Sequence, residues 1–346
     1  MKIAFEPFEN KENKYIDIMK SCLSELGYTI CSLKNMNDKN CKILVLNWYE
    51  DSPYPNDKIK TCITLVKRIA RIMYAQLCGK KIIYVMHNKQ SHNKKLESRL
   101  LQKFLISHAD IIQIHSRVSE KYVEKKYRKK VFYIPHPNYI DVYPDSFGKY
   151  DRTNLSLKTD APVLLFVGAI KPYKNIELLL NIAKCYPQIQ FLIAGKPNCS
   201  EYGEALQIMA KESDNISLLF KFIPDEELSD LLKISDAVIL PYDISSSLNS
   251  GTIYLAFSNK KTVVAPLIAT LEDISDMDFF FGYQYKDESE HEQNLKKAID
   301  ELISAYEKNK DILSRMGNDA YLYVSSKHSN EEIKKQYRKM IGRLGI

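Results

Sequence analysis

The sequence predicts an α/β protein made of two Rossmann-like domains in series, and three observations carry that prediction. Short apolar runs of strand length alternate with amphipathic stretches of helical period, which is the mark of βαβ units on parallel sheets. The alternation stops at a polar stretch, residues 141–161, and restarts beyond it. The length of 346 residues also exceeds the roughly 250–300 that one hydrophobic core usually supports.

In chain order, strands are expected at Lys2 to Phe5, Tyr28 to Cys31, Ile43 to Leu46, Lys81 to Met86, Asp110 to Ile114 and Val131 to Ile134. Past the polar linker the pattern resumes with Val163 to Val167, Gln190 to Ala194, Ile216 to Phe220, Ala237 to Leu240 and Thr262 to Ala265. Between Ile59 and Leu77, the residues Ile59, Ile63, Val66, Ile69, Ala70, Met73 and Leu77 recur at helical spacing, with Lys67, Arg68 and Arg71 among them. The favoured reading of this helix is that its apolar stripe packs on the sheet while its cations are solvated. A basic amphipathic helix lying on an anionic membrane is the alternative. The last stretch, Ser329 to Leu344, reads as a helix with Ser329 or Asn330 as cap and Glu331 and Glu332 in its first turn. The expected domains are residues 1–150 and 151–328, with a helix over 329–346 crossing back to the first domain.

Charge and cysteine content narrow the class. The net charge of +7 is uneven: residues 1–150 carry +12 and the remainder −5, with the excess concentrated between Lys67 and Lys130. Nucleic acid is disfavoured as a partner, because no known module is present. Seven cysteines without a Cys-x-x-Cys pair argue against a disulfide framework and a zinc ribbon, and point to a reducing compartment. The chain opens directly on a strand, with no apolar signal stretch and no uncharged apolar run of about 18 residues. The expectation is a cytoplasmic protein, at most peripheral at the inner face of the membrane.

Polar patches follow the apolar runs of the second half, at the carboxyl edge of a parallel sheet, where open α/β sheets bind ligands. After the first run comes Gly168-Ala169-Ile170-Lys171-Pro172-Tyr173-Lys174, and after the second Gly195-Lys196-Pro197. Further on, Ile223-Pro224 precedes Asp225-Glu226-Glu227, which read first as ordinary helix-capping acids. The stretch Leu240-Pro241-Tyr242 leads to Asn249-Ser250-Gly251-Thr252, where a glycine and two hydroxyls open a helix. Lysines, hydroxyls and helix-start amides together make an anion site, and a sugar nucleotide carries a diphosphate.

On these motifs the second half resembles the nucleotide-binding domain of GT-B glycosyltransferases, specifically the GT4-like group of bacterial surface-polysaccharide enzymes, over about Val163 to Asp273. The resemblance implies a GT-B fold with two Rossmann-like domains facing across a cleft. It implies donor binding by Gly168, Lys171, Lys174, Gly195, Lys196, Ile223, Pro224, Ser250, Gly251 and Thr252, with Lys171 and Lys174 holding the diphosphate. The donor is then a UDP- or GDP-linked sugar, and no metal or other cofactor is required, because lysines and helix amides take the cation's place.

The first half resembles the group in outline only and is expected to carry the acceptor. Lys81 to Met86 is a strand whose end delivers His87-Asn88, with His92 shortly after, similar to the family's His-Asn step at the cleft. Histidine suits general-base work near neutral pH, so His87 is the candidate base or acceptor contact, with Asn88 and His92 beside it. Trp48, at the end of another strand, can stack on a sugar face or serve as core. His115 and His136 read first as loop packing. The sequence also departs from the group. The two glutamates that many retaining members carry are replaced by Ser247 and Leu255, and the first loop, beginning Glu6-Pro7-Phe8-Glu9, lacks paired glycines.

The expected function is transfer of a hexose from a nucleotide-diphospho-sugar to a glycan acceptor, lipid-linked, in capsule, exopolysaccharide or O-antigen assembly, with contact to the anionic inner membrane. Two alternatives accompany it: a catalytically silent GT-B subunit that stabilises a partner glycosyltransferase, and a sugar-nucleotide 2-epimerase of the same fold.

Overall fold

Every strand pairing among the described residues is parallel, and the strands assemble into two six-stranded sheets. A computed structural model describes all residues except 10–13, 52–53, 55–56, 90–95, 159 and 246. The chain divides into two units: one contains residues 1–137, 245–249 and 327–346, the other 138–244 and 250–326.

In the first unit the elements run β1 (Lys2–Glu6), α1 (Tyr15–Glu25), β2 (Thr29–Cys31), β3 (Cys41–Asn47), α2 (Lys58–Leu77), β4 (Lys81–Val85), α3 (Leu96–His108), β5 (Ile111–Ile114) and β6 (Val131–Tyr133). The sheet order is β2-β1-β3-β4-β5-β6, so the direction of winding reverses between β1 and β3. In the second unit follow β7 (Val163–Val167), α4 (Ile176–Ala183), β8 (Gln190–Ala194), α5 (Ser200–Ala210), β9 (Ile216–Leu219), α6 (Asp225–Ile234), β10 (Ala237–Ile239), α7 (Gly251–Ser258), β11 (Thr262–Pro266), α8 (Ala269–Glu272), β12 (Phe281–Tyr283), α9 (Glu288–Lys308) and α10 (Ile312–Lys327). Its order β12-β11-β10-β7-β8-β9 places the reversal between β7 and β10. At such a switch point the loops leaving two adjacent strands splay apart and leave a crevice at the carboxyl edge.

The uninterrupted apolar runs form the strands because both sheet faces are covered; β7 and β8 are buried along their whole length. Each expected strand is present within a residue or two, and β12 is an edge strand that periodicity did not reveal. The final helix α11 (Asn330–Arg343) is capped by Ser329, whose hydroxyl accepts from the Glu332 amide at 3.3 Å. Its buried face, Ile333, Tyr337, Met340 and Ile341, joins the first unit's core with Tyr15, Met19 and Cys22 of α1. All seven cysteines are unpaired.

Two expectations are corrected. The first unit ends at Pro137, earlier than residue 150, because the polar linker is bound along its length to the second unit. Asp230 of α6 accepts from the amides of Gly148 at 3.0 Å and Lys149 at 2.7 Å and from the Ser146 hydroxyl. Glu227 accepts from the Tyr150 hydroxyl at 2.9 Å, from Lys221 at 2.5 Å and from Lys149. Burial would raise the Glu227 carboxyl, but these hydrogen bonds outweigh it and hold the group down at about 2. This acid therefore fastens the polar linker, whereas the sequence suggested a helix cap; α6 has no side-chain cap bond.

The second correction concerns α2. The stripe Ile59, Ile63, Val66, Met73 and Leu77 faces outward. The helix packs through Thr61, Ile72 and Ala75, with Leu65 and Arg68 half-buried between them. Arg68 Nη1 donates to the carbonyls of Tyr49 at 2.5 Å and Asp51 at 2.7 Å, which bolts this inner face to the segment after β3.

Candidate functional site

In the second unit the predicted donor residues gather on the loops leaving β7, β8 and β10, at and beside the reversal of strand order. Gly168 (φ +136°) ends β7 and Gly195 (φ +154°) ends β8. The two glycines abut: a Cβ at Gly195 would lie 1.8 Å from the Gly168 carbonyl oxygen, so only glycine fits there. Their amides are already engaged, Gly168 with the Ala194 carbonyl at 3.1 Å and Gly195 with Leu219 at 3.0 Å, so neither is a free donor. What the glycines provide is close approach. The loops pair beyond the strands, Ile170 N donating to the Lys196 carbonyl at 3.0 Å and Asn198 N to the Ile170 carbonyl at 3.0 Å, which sets the Lys171 and Lys196 loops side by side.

Lys171 and Lys196 are exposed, and Lys174 is half-buried. The Lys174 ammonium sits over the ring of Tyr242, 3.8 Å from its centroid. Asn175 adopts a left-handed conformation (φ +53°), and its Nδ2 donates to the Pro241 carbonyl at 2.9 Å, tying the β7 loop to the β10 loop. Tyr242 is itself fixed. Its hydroxyl accepts from Ser250 Oγ at 3.0 Å, and its carbonyl accepts from the Tyr285 hydroxyl at 2.8 Å. Tyr285 also accepts from the Ile244 amide at 2.9 Å and stacks on His291 at 3.9 Å. The Ser250 hydroxyl, read from the sequence as a phosphate donor, is thus committed to Tyr242, while Gly251 and Thr252 head α7, where first-turn amides have no helical acceptor. Pro224 precedes α6, with Ile223 half-buried beside it. The result is a cationic rim of lysines with helix-start amides on one sheet edge, suited to an anion.

In the first unit the loops leaving β3, β4 and β5 bring a group of rings together around Tyr15 of α1. Trp48, just after β3, has a left-handed backbone (φ +47°), rare for a bulky residue and found where the surroundings enforce it. Its ring stacks on His87 with centroids 4.0 Å apart and planes at 16°. His87 Nε2 lies 3.0 Å from Asn47 Oδ1, and Asn47 Nδ2 donates to the Glu6 carbonyl at 3.0 Å. An amide oxygen only accepts, so His87 carries its proton on Nε2 and leaves Nδ1 with the lone pair. Burial, and then the neighbouring His115 and His136, depress His87 well below the usual histidine range, so the ring is neutral at pH 7. Tyr15 of α1 lies at the centre of this cluster, its hydroxyl 2.8 Å from His115 Nε2, while His115 Nδ1 donates to the Ile134 carbonyl at 2.9 Å.

Asn88 is buried and forms a bridge to Ser247, and its carbonyl accepts from Gln102 Nε2 at 3.2 Å. Among the described residues its side-chain Nδ2 has no partner, nor has the buried Oδ1 of Asn249, whose Nδ2 points at the His87 carbonyl at 3.4 Å. An unpaired buried polar atom costs about 1–3 kcal/mol, so these two leave unused hydrogen-bonding capacity beside His87. His92 lies outside the described residues. Among the described residues no cluster of histidine, cysteine or carboxylate side chains is arranged for a metal, and no helix is long and apolar enough to cross a membrane.

Residues 149–321 match the model of a family described as glycosyl transferases group 1. The chain belongs to that family. The matched region contains the lysine loop, Tyr242 and α7, and reaches beyond the block on which the resemblance rested. A GDP-mannose:glycolipid 4-beta-D-mannosyltransferase from Xanthomonas campestris pv. campestris is 23% identical over 242 residues, which are 68% of this chain and 64% of that enzyme. This group 1 glycosyl transferase therefore spans just under two thirds of that relative. Among solved structures, Anabaena HepE in complex with UDP superposes with a TM-score of 0.70 at 12% identity, over 99% of this chain and 100% of HepE. Sucrose-phosphate synthase from Thermosynechococcus elongatus gives 0.65 at 16% identity, covering 97% and 80% of the two chains. The fold is GT-B, with two parallel six-stranded α/β units.

In this group 1 glycosyl transferase the structure unites Lys171, Lys174, Gly168, Gly195, Lys196, Ser250, Gly251 and Thr252 in one unit, and Trp48, His87 and Asn88 in the other. Trp48 has one face on His87 instead of open to a sugar. Sequence reading missed Tyr242 and Tyr285 as organisers of the lysine loop, and Asn47 and Tyr15 as organisers of His87. Tyr242 stood in a quoted motif and Asn47 beside Trp48, so proximity to a strand end was the available signal. Tyr15 and Tyr285 gave none, because their contacts come from distant chain segments. Ser247 and Leu255 are both buried.

Proposed function

We propose that this protein transfers a hexosyl unit from a nucleotide-diphospho-sugar to a hydroxyl of a lipid-linked glycan, in capsule, exopolysaccharide or O-antigen assembly, as a peripheral protein at the cytoplasmic face of the membrane. The observation that carries this reading is the Lys174–Tyr242 pair at the switch point of the second unit, flanked by Lys171, Lys196 and the start of α7. Bond breaking at the anomeric carbon leaves a nucleoside diphosphate with added charge. Fixed ammonium groups and helix amides stabilise that charge most as it develops, with no metal needed for it. UDP in the HepE structure and GDP-mannose in the name of the Xanthomonas relative support a UDP- or GDP-linked donor. The glycolipid in that enzyme's name supports a lipid-linked acceptor.

The first unit would hold the acceptor. As the acceptor oxygen bonds to the anomeric carbon and the bond to the diphosphate breaks, its proton passes to His87 Nδ1, the nitrogen that the Asn47 contact leaves basic.

Thermal unfolding of the purified protein against UDP, GDP, CMP, dTDP and their sugar conjugates tests the donor site, because a ligand bound only by the native state raises the melting temperature. A rise with one nucleotide family, lost in Lys174→Ala, is expected. No rise with any of them in a folded protein would overturn the reading in favour of a silent subunit.

A further inference from the structure

Helix α2 carries two opposite stripes, and the one facing solvent is the more apolar. Ile59 is 74% exposed, Ile63 48%, Val66 65%, Met73 51% and Leu77 87%. These positions recur at helical spacing and form one continuous row. Single exposed apolar residues are ordinary on a protein surface, but a row along a whole helix marks a surface that meets something. Helix α3, which packs beside α2, also exposes apolar side chains, Leu96 at 68% and Leu100 at 51%.

Charge identifies the occupant. Helix α2 contains five lysines and arginines and no acidic residue. Lys67 and Arg71 flank the row, and Arg99 and Lys103 lie exposed on α3. A second copy of this surface would set cation against cation. A partner that is apolar beneath an anionic rim fits both features, and among the described residues no helix could span such a layer, so this one lies within the interface plane.

We propose that the outward faces of α2 and α3 insert into the headgroup region of an anionic phospholipid bilayer. The inner faces of the same helices hold the candidate acceptor wall. Arg68 of α2 bonds the segment after Trp48, and Gln102 of α3 bonds the Asn88 carbonyl next to His87. A membrane held on one side of these helices thus lies behind the residues assigned to the acceptor. That consequence, though not the surface itself, rests on the proposed glycosyl transfer to a lipid-linked glycan.

Flotation of the whole protein with vesicles of phosphatidylcholine, with and without phosphatidylglycerol, tests the surface. Binding is expected to require phosphatidylglycerol and to weaken with salt. Each of Ile59→Ser, Val66→Ser and Met73→Ser is expected to cost roughly tenfold in vesicle affinity. Lys67→Gln with Arg71→Gln should lower the preference for phosphatidylglycerol. Melting temperature and nucleotide binding should be unchanged in all of them, because these side chains are exposed and far in sequence from the lysine loop. Absence of binding to either vesicle would overturn the proposal, as would serine variants that bind as the wild type does or a wild-type dimer that those variants dissolve. Nucleotide binding measured on the same samples separates the two readings: vesicle binding without nucleotide binding overturns the donor site and leaves the membrane surface standing.

Discussion

The ammonium of Lys174 lies 3.8 Å from the centre of the Tyr242 ring, and the Tyr242 hydroxyl accepts from Ser250 at the head of α7. One tyrosine therefore joins the cation on the β7 loop to the helix start that follows β10. Lys174→Ala removes the charge and is expected to weaken nucleotide affinity by about tenfold or more, since a charge-assisted contact contributes roughly 1.5–3 kcal/mol. Tyr242→Phe keeps the ring under the ammonium and loses only the Ser250 bond, so it should cost far less than Tyr242→Ala. Calorimetric titration with the preferred nucleoside diphosphate gives the order. Equal losses in the two tyrosine variants would show that ring placement is irrelevant.

Gly195→Ala tests the back-to-back glycines. A methyl group there would lie 1.8 Å from the Gly168 carbonyl oxygen, at a φ of +154° that side chains rarely adopt. Backbone has to shift, and the cost is expected at about 2–4 kcal/mol or more. Denaturant unfolding reads it directly. A variant as stable as wild type would mean that the two loops separate freely, and their close approach could not then shape an anion site.

The histidine cluster sets an acid limit on stability. Burial holds His115 and His328 down at about 4, and His87 and His136 also lie well below their ordinary value near 6.5. The unfolded chain thus takes up protons that the native state refuses. Stability is complete above about 6.5 and falls as the pH drops from there towards 4, by on the order of 3 kcal/mol for His115 alone. Glu227, held at about 2, adds a second loss at lower pH, from the ordinary carboxylate range downward. Melting temperatures across this range should decline in two stages. His115→Gln should flatten the upper stage, and an unchanged profile in that variant would remove the assignment.

Much of this architecture was legible because parallel strands buried on both faces need continuous apolar runs, which stand out in a sequence. Strand β12 did not stand out, since Phe281-Gly282-Tyr283 is a three-residue edge strand interrupted by glycine. The lysines and glycines of the second unit were legible for a related reason: ligand loops follow strand ends. Their exact employment was not. That the Gly168 amide is taken by Ala194, and the Ser250 hydroxyl by Tyr242, depends on partners far away or on another element. In α2 the period was correct and the face was not, because Leu65, Ile72 and Ala75 make a second stripe at the same spacing as the one with larger side chains. Periodicity locates stripes and does not say which one the sheet accepts.

Asn47 decides which nitrogen of His87 is basic. Its Oδ1 stands 3.0 Å from His87 Nε2, and its Nδ2 is anchored on the Glu6 carbonyl, so the amide cannot turn to offer a donor without losing that anchor. Asn47→Ala should leave the imidazole in place, because Trp48 still stacks on it at 4.0 Å, while freeing it to carry its proton on either nitrogen. The expected result is a lower kcat with nucleotide affinity unchanged. The loss should be smaller than that of His87→Ala, which removes the base altogether and should slow transfer by roughly 10²–10⁴-fold. Ordinary turnover in His87→Ala would assign the ring to structure. Ordinary turnover in Asn47→Ala with loss in His87→Ala would keep the base and remove the tautomer control, which separates the two residues' roles by kinetics alone.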